Sequence, residues 1–366
     1  MHIMLGIVFL LLYGGLVWYV GWSGWRWLRP AAAAWFRVLY IAGLSFLALS
    51  FFLGRFFPEQ ALISRIGSYW LALFALLLMV LPVAQLLLLL LRLTRIPRHR
   101  AEKWGGALTL AVLLGLLAFG SYQAYSPVVR TYEVRVDKPA GGLEELNVVM
   151  AADMHFGLLS GPAHAERLVR EIEKLQPDLV LFPGDIIDDD LELYESSGIG
   201  EILARIQAPY GVYATLGNHD KFDGPTERII ESLEASGMQV LYDEVVTIED
   251  KLTLIGRKDR TEQDRAPLAE LAAQADPSKP LFLLDHQPYE LDIAARSGID
   301  LMVSGHTHRG QIAPGHLITG AIYENDWGVL RKEQMTSVVT SGFGFWGPPI
   351  RLGSRSEVVQ LRLVFS

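Results

Sequence analysis

Seven side chains able to ligate a divalent cation occur in one linear order across the second half of this 366-residue chain. They lie in five short motifs: Asp153-Met154-His155, Gly184-Asp185, Gly217-Asn218-His219-Asp220, Asp285-His286 and Gly305-His306-Thr307-His308. Asp153 and His155 are two residues apart where a strand ends, a spacing that sends both side chains off one face. Gly184 frees the backbone to aim Asp185, and a carboxylate between two cations can bridge them at about 3.5–4 Å. Asn218 offers a neutral carbonyl oxygen, while the adjacent His219 points elsewhere, toward substrate. His286 closes the run Leu281–Asp285, and His306 and His308 repeat the two-residue spacing, so they can serve one cation or both. Imidazole and oxygen donors without thiolate suit Mn, Fe or Zn better than Ca or Mg. Alone, each motif is an ordinary turn or a satisfied core histidine; the ordered set reads as a two-metal hydrolytic centre. Of the other histidines, His2 is terminal, His99 lies in a basic loop, His164 starts a helix and His316 falls in a surface loop.

Such motifs need a scaffold that ends several strands at one place. After Pro127 short β-rich runs alternate with amphipathic helices. The strand candidates are 146–152, 179–182, 211–216, 252–255, 281–284, 301–304, 337–340 and 358–365; the helix candidates are 162–175, 191–206, 225–236, 262–273 and 288–296. Alternation of this kind predicts sheets flanked by helices. Every motif falls just after a strand, in the crevice where open α/β sheets bind ligands.

The first 126 residues have another character. Four apolar runs, about 3–19, 38–54, 69–91 and 105–122, are each near the ~20 residues that cross a bilayer, with Trp and Tyr at their ends. Pro82 and Gln85 within the third predict a kink. A cleavable signal peptide is the other reading of the first run, but it has no basic n-region or cleavage site, and three spans follow. The region carries ten Lys/Arg against Glu59 and Glu102, which leaves 22 basic and 38 acidic residues for 127–366. The loops holding Arg26, Arg29 and Arg37, and Arg92 to Lys103, are more basic than the loop with Arg55 and Arg65. Positive-inside counting puts both termini, and the second domain, outside the cytoplasm. The acidic second half argues against nucleic acid as a partner, and the absence of cysteine removes disulfides and thiol chemistry.

The ordered set D-x-H, G-D-x-x-D, G-N-H-D, H, G-H-T-H closely resembles the calcineurin-like metallophosphoesterase superfamily, from about Leu146 to the C-terminus. Membrane-associated bacterial phosphohydrolases of that group look similar, including the closing Ser341–Gly344 and Pro349-Ile350-Arg351 elements. The four apolar runs predict an N-terminal four-helix transmembrane domain (1–126); the resemblance implies that the α/β metallophosphoesterase domain (127–366) is folded as a two-sheet αββα sandwich. It implies two divalent ions, one held by Asp153, His155, Asp185 and His308, the other by Asp185, Asn218, His286 and His306. His219 would be the acid at the leaving group. Asp188 would orient it, with Asp189, Asp190 and Asp220 as competitors. Arg309 stands where a small residue often follows the last histidine and would add a phosphate contact beside Asn218. Asp189 replaces the family's arginine, which argues against a protein-phosphatase-like clamp. The expected function is hydrolysis of a phosphomono- or diester by metal-activated water. Anchoring by four spans points to a lipid or lipid-linked substrate, with membrane lipids as partners. Two other functions compete. One is a sensor or transport-associated protein whose metal domain only binds or regulates. The other is a UDP-diacylglucosamine-type pyrophosphatase, whose cytoplasmic placement conflicts with the charge count.

Overall fold

The computed structural model describes residues 2–28, 34–57, 60–188, 190–221 and 224–366. Arg29, Glu59 and Asp189 lie outside them. The chain divides into two compact units, Met1–Ser121 with Gly347–Pro349, and Tyr122–Trp346 with Ile350–Ser366.

The first unit is built on four helices, α1 (His2–Leu28), α2 (Ala34–Phe56), α3 (Ala61–Leu91) and α4 (Arg98–Tyr125), each long and apolar enough to cross a membrane. They run beyond the expected apolar stretches, because a helix need not stop where hydrophobicity does. Aromatic and basic residues such as Trp22, Trp25 and Arg26 simply continue its hydrogen bonding. Pro82 lies inside α3, which continues as one helix from Ala61 to Leu91. Val20, Ala48, Trp70, Phe74 and Leu81 form the core of the bundle. At Gly67 a Cβ would lie 2.6 Å from Phe51 Cα, so glycine is what lets α3 approach α2.

The second unit holds two six-stranded mixed sheets. Its strands are β1 (Val128–Val136), β2 (Glu145–Met150), β3 (Leu179–Pro183), β4 (Val212–Thr215), β5 (Gln239–Val240), β6 (Glu244–Ile248), β7 (Leu252–Gly256), β8 (Leu281–Leu284), β9 (Leu301–Ser304), β10 (Gly328–Lys332), β11 (Met335–Val339) and β12 (Glu357–Phe365). One sheet has the order β1-β12-β2-β3-β4-β5, the other β10-β11-β9-β8-β7-β6. Facing side chains, among them Val148, Met150, Leu181, Leu254, Phe282, Val303 and Leu361, make the core between the sheets. The other face of the first sheet is covered by α5 (Pro162–Leu175), α6 (Leu191–Ser196), α7 (Ile199–Leu203) and α8 (Thr226–Ala235). The second is covered by α9 (Leu268–Ala272) and α10 (Leu291–Arg296). This is the expected αββα sandwich, with the long apolar helices preceding it.

Several expected boundaries change. The helix expected over 191–206 breaks into α6 and α7, where Gly198 turns the chain at φ +77°. The one expected over 262–273 shrinks to α9, which starts only after Pro267. Glu262 instead accepts hydrogen bonds from Lys221 (2.9 Å) and Tyr242. The four strands not anticipated, β1, β5, β6 and β10, are the four sheet edges. Edge strands are half solvated and carry polar residues, so they lack the continuous apolar run that marks a buried strand. A further helix of this unit, α11 (Gly315–Ile322), replaces the surface loop expected around His316.

Candidate metal centre

Each chemical motif lies directly beyond a strand: Asp153 and His155 after β2, Asp185 after β3, Gly217 to Asp220 after β4, His286 after β8, and His306 and His308 after β9. Both sheets therefore contribute loops to one cluster. The way Asp153 and His155 converge differs from the expected strand alternation. Asp153 (φ +53°), His155 (+46°), Asp185 (+52°), His306 (+70°) and His308 (+48°) all adopt the left-handed conformation. Each such residue costs of order 1–3 kcal/mol and persists only where surrounding structure imposes it.

Hydrogen bonds between the loops supply that constraint. The Asp153 N–H donates to the Gly184 carbonyl and the His155 N–H to the Asp185 carbonyl, each at 3.1 Å. The buried Asp220 carboxylate accepts four backbone N–H groups, from Gly217 (2.7 Å) and from Asp185, Ile186 and Ile187 (2.8 Å each). Asp220 thus ties the Gly184-Asp185 loop to the Gly217-Asn218 loop. The loops pass so closely that a Cβ on Gly184 would lie 2.7 Å from both Gly217 N and His286 Nδ1.

Two groups of side chains result. Asp153, His155 and His308 bring ligand atoms within 4.8 Å of one another, as do Asp185, His286 and His306. Asp185 Oδ2 lies 3.0 Å from His286 Nε2 and 3.8 Å from His155 Nε2, so one carboxylate borders both. The remaining carboxylate oxygens of the pair point at backbone: Asp185 Oδ1 accepts from His219 N–H and Asp153 Oδ1 from His306 N–H, both at 2.8 Å. Asp153, His155, Asp185 and His286 are all essentially inaccessible to solvent.

Three buried atoms in this cluster have no hydrogen-bond partner: Asp153 Oδ2, Asn218 Oδ1 and His286 Nε2. His286 Nδ1 lies 2.9 Å from the Pro183 carbonyl, which can only accept, so that nitrogen carries the proton. Its Nε2 then confronts the Asp185 carboxylate at 3.0 Å outside hydrogen-bond geometry. Positive charge must settle such a contact. Burial pulls the His286 pKa down, yet Asp185 and Asp153 outweigh it and push it up to about 10. His155 behaves alike: burial lowers it, but Asp188, Asp185 and Asp153 bring it to about 9. Burial and the neighbouring His286 charge lower His306 to about 4. Burial, His155 and Arg351 hold His308 well below its ordinary value. Four imidazoles and two buried carboxylates thus face one another at short range, a set of nitrogen and oxygen donors without thiolate. The donor set fits divalent ions.

Asp188 lies beside this cage and accepts from His155 Nδ1 at 3.2 Å, and a ring nitrogen of His219 lies within 4.8 Å of the ligand atoms of both. Asp188 thus contacts the His155 ring in addition to standing near His219. The His219 ring packs edge-on against His155 (5.0 Å between centroids) and against Trp346 (5.6 Å). Asp190 caps α6 by accepting from Leu193 N–H at 2.8 Å. The Arg309 guanidinium lies over the Trp327 ring at 3.8 Å. His164, expected only to start a helix, is buried against Phe343. A cavity of about 630 Å³ opens beside the second group, lined by Asn218, Lys221, Thr261, Glu262, Gln287 and His306.

Arg351 was legible only as part of a closing sequence element, yet among the described residues it is the largest fully buried side chain. It donates to the Gly344 carbonyl through Nε (2.9 Å) and Nη2 (2.6 Å), to Ser354 Oγ (3.1 Å) and to His308 Nδ1 (3.1 Å).

A two-sheet sandwich with an Asp/His cage beyond its strand ends defines the metallophosphoesterase class. The Calcineurin-like phosphoesterase family profile matches residues 146–310. An uncharacterized metallophosphoesterase of Helicobacter pylori (strain J99) is 33% identical over 259 residues, 69% of this chain and 68% of that protein. One from Aquifex aeolicus is 31% identical, over 68% of this chain and 96% of that protein. A zebrafish (Danio rerio) transmembrane protein with metallophosphoesterase domain is 30% identical, covering 70% and 62% respectively. The chain belongs to the calcineurin-like metallophosphoesterase family and is a metal-dependent phosphoesterase with membrane-spanning helices.

Proposed function

We propose that this phosphoesterase uses two divalent cations, Mn, Fe or Zn, to hydrolyse a phosphomono- or diester presented at a membrane. Asp153, His155, Asp185 and His308 would hold one, and Asp185, Asn218, His286 and His306 the other. The observation that carries this reading is that Asp153, His155 and His308, and likewise Asp185, His286 and His306, bring ligand atoms within 4.8 Å of one another, while the buried Asp153 Oδ2 and Asn218 Oδ1 have no hydrogen-bond partner. Leaving each unsatisfied costs about 1–3 kcal/mol, which ligands to those atoms would remove. Held by these residues, divalent cations would supply polarisation of phosphoryl oxygens and a water of near-neutral pKa.

The chain's own groups complete the reaction. His219, at the edge of the cage, gives a proton to the departing oxygen, an effect worth about 10²–10⁴-fold. Asp188 holds the His155 ring in register. Arg309, whose guanidinium lies over the Trp327 ring at 3.8 Å, would offer N–H groups to a phosphate oxygen.

The substrate we favour is a lipid or lipid-linked phosphate. α11 packs on the His308–Gly310 turn, contains no Asp, Glu, Lys or Arg, and leaves Leu317, Ile318 and Ile322 66%, 62% and 56% exposed. Trp346, against the His219 ring, is 55% exposed. An uncharged apolar patch beside an ionic cage suits a molecule whose phosphate enters the cage while its chains stay in lipid. The loop charges support a catalytic unit outside the cytoplasm, which protease treatment of intact cells and spheroplasts checks.

The deciding experiment uses full-length protein in detergent with Mn²⁺, before and after chelation, comparing wild type with Asp185→Asn. Phosphate or headgroup release from a lipid panel is measured beside hydrolysis of a soluble chromogenic diester. Metal-dependent turnover of lipids, lost in the variant, supports the reading. Turnover of the soluble ester alone sinks the lipid assignment. No turnover of either with Mn, Fe or Zn sinks the two-cation mechanism.

A further inference from the structure

The first unit contains a cavity of about 540 Å³ between the ends of α1 and α3 and the first turns of α4. That volume is in the range of about 300–1,000 Å³ typical of small-molecule sites. Three arginines line it, Arg26, Arg92 and Arg98, against a single acidic residue, Glu102. Glu102 is engaged by Arg98 at 2.8 Å, so the balance is strongly cationic. The Arg26 guanidinium lies over the Trp22 ring at 4.8 Å, a cation–π contact that does not neutralise its charge.

Deeper in the same cavity is a polar pair. Gln85 Nε2 donates to Ser23 Oγ at 2.7 Å, and Ser23 is buried. A glutamine inside a 31-residue apolar helix is costly in hydrocarbon unless it meets polar groups. Ser23 satisfies one of its donors, and its carbonyl oxygen and second N–H remain for something else in the cavity. The rest of the lining is mostly leucine from the last turns of α3, and Leu86 and Leu89 are 56% and 54% exposed on the bundle surface.

We propose that this cleft binds the anionic headgroup of a membrane phospholipid. The arginines would take the phosphate, the Gln85–Ser23 pair would meet glycerol or ester oxygens, and the acyl chains would lie along the exposed α3 leucines. The requirements are those of basic pockets between membrane helices, where each arginine near the surface contributes about five-fold to binding of an anionic lipid. A neutral zwitterionic lipid lacks the net charge to match three guanidiniums. A free phosphate lacks the chains that the leucines would cover. The proposal is independent of catalysis, since none of these residues belongs to the metal centre.

The test is retention of lipid by the full-length protein, read by native mass spectrometry after exchange into vesicles of phosphatidylcholine with or without phosphatidylglycerol. Soluble glycerol phosphate is offered as a competitor. Preferential retention of phosphatidylglycerol is expected, with a loss of about 25-fold in Arg26→Gln/Arg92→Gln. Arg55→Gln/Arg65→Gln, which removes two arginines outside the cavity, should retain it like wild type. Gln85→Leu should weaken retention less while keeping charge constant, and gives a second readout if the double variant is poorly folded. Equal retention of the two lipids, or equal losses in the two double variants, overturns the site. Displacement by glycerol phosphate alone at the same concentration as by lipid overturns the lipid as its source.

Discussion

The helical bundle and the metal centre bury polar side chains in opposite ways. In the helical bundle, Trp70 Nε1 donates to Tyr13 Oη at 2.9 Å, and Tyr13 donates in turn to the Ala48 carbonyl at 2.8 Å. That chain ends on a backbone acceptor. In the metal centre, Asp153 Oδ2 and Asn218 Oδ1 have no hydrogen-bond partner, and His286 Nε2 meets only the Asp185 carboxylate, at 3.0 Å. Closed polar chains hold helices together, whereas open ones, kept in place by left-handed backbone and by Asp220, are poised for something from outside. A buried polar group left open costs stability, and a bound ion is one way in which such a group is completed.

The contrast breaks hardest at Asp185, the carboxylate shared by both halves of the cage. Asp185→Asn should lower turnover by at least about 10³-fold, because several kcal/mol of transition-state charge stabilisation depend on the cations. Bound Mn or Zn, measured by elemental analysis, should fall with it; full metal content in an inactive variant would separate binding from catalysis. His219→Ala sharpens the comparison from the other side. It should keep its metals and lose about 10²–10⁴-fold in kcat, and unchanged kcat would remove His219 as the acid.

His164 is a buried polar group of the closed type within the catalytic unit, near the Phe343 carbonyl (3.4 Å) and Arg167 (3.3 Å). Burial lowers its pKa to about 4, with the charges of Arg167 and Arg351 adding to the effect. A neutral folded histidine binds fewer protons than the unfolded one, so its stability is complete above about pH 6.5 and is lost as the pH falls toward 4. Between pH 6.5 and 5 the loss is about 2 kcal/mol. Thermal unfolding of chelated protein should therefore lose less on acidification in His164→Gln than in wild type. Parallel curves would show that His164 titrates freely.

Leu317→Asp/Ile318→Asp tests whether the apolar patch serves substrate in lipid. Activity on vesicles should fall by at least about ten-fold, the scale of removing two aliphatic side chains from an apolar contact, with the soluble ester hydrolysed as before. Equal losses on both substrates would assign α11 to support of the His308 turn instead. The smallest effect is expected in the bundle, where Tyr13→Phe removes one link of a closed chain. It should cost about 1 kcal/mol of stability, seen as a small drop in Tm, with kcat unchanged.

Most of the scaffold is readable from residue order. Buried strands β2, β3, β8 and β9 declare themselves as unbroken apolar runs, and the metal-ligand motifs follow them at once. What escaped was of two kinds. The edge strands β1, β5, β6 and β10 are half solvated, so their composition blends with that of loops. The helix over 191–206 divides at Gly198, where the local signals, an apolar period with good helix formers, do not show which turn the tertiary packing will break.

The linear order of residues determined the chemistry on offer: imidazole and carboxylate donors at strand ends, four apolar spans, and opposite charge in the two halves. Those follow from side-chain type and spacing, which no fold can alter. Only the tertiary structure decided which atoms meet. It made Asp185 the shared carboxylate, turned Asp220 into a clamp for four backbone N–H groups, set Asp188 against His155, and buried Arg351 beside His308. These pairings join residues up to 153 positions apart in sequence, as between His155 and His308. Local propensity carries no information over that distance; the packing of two sheets does.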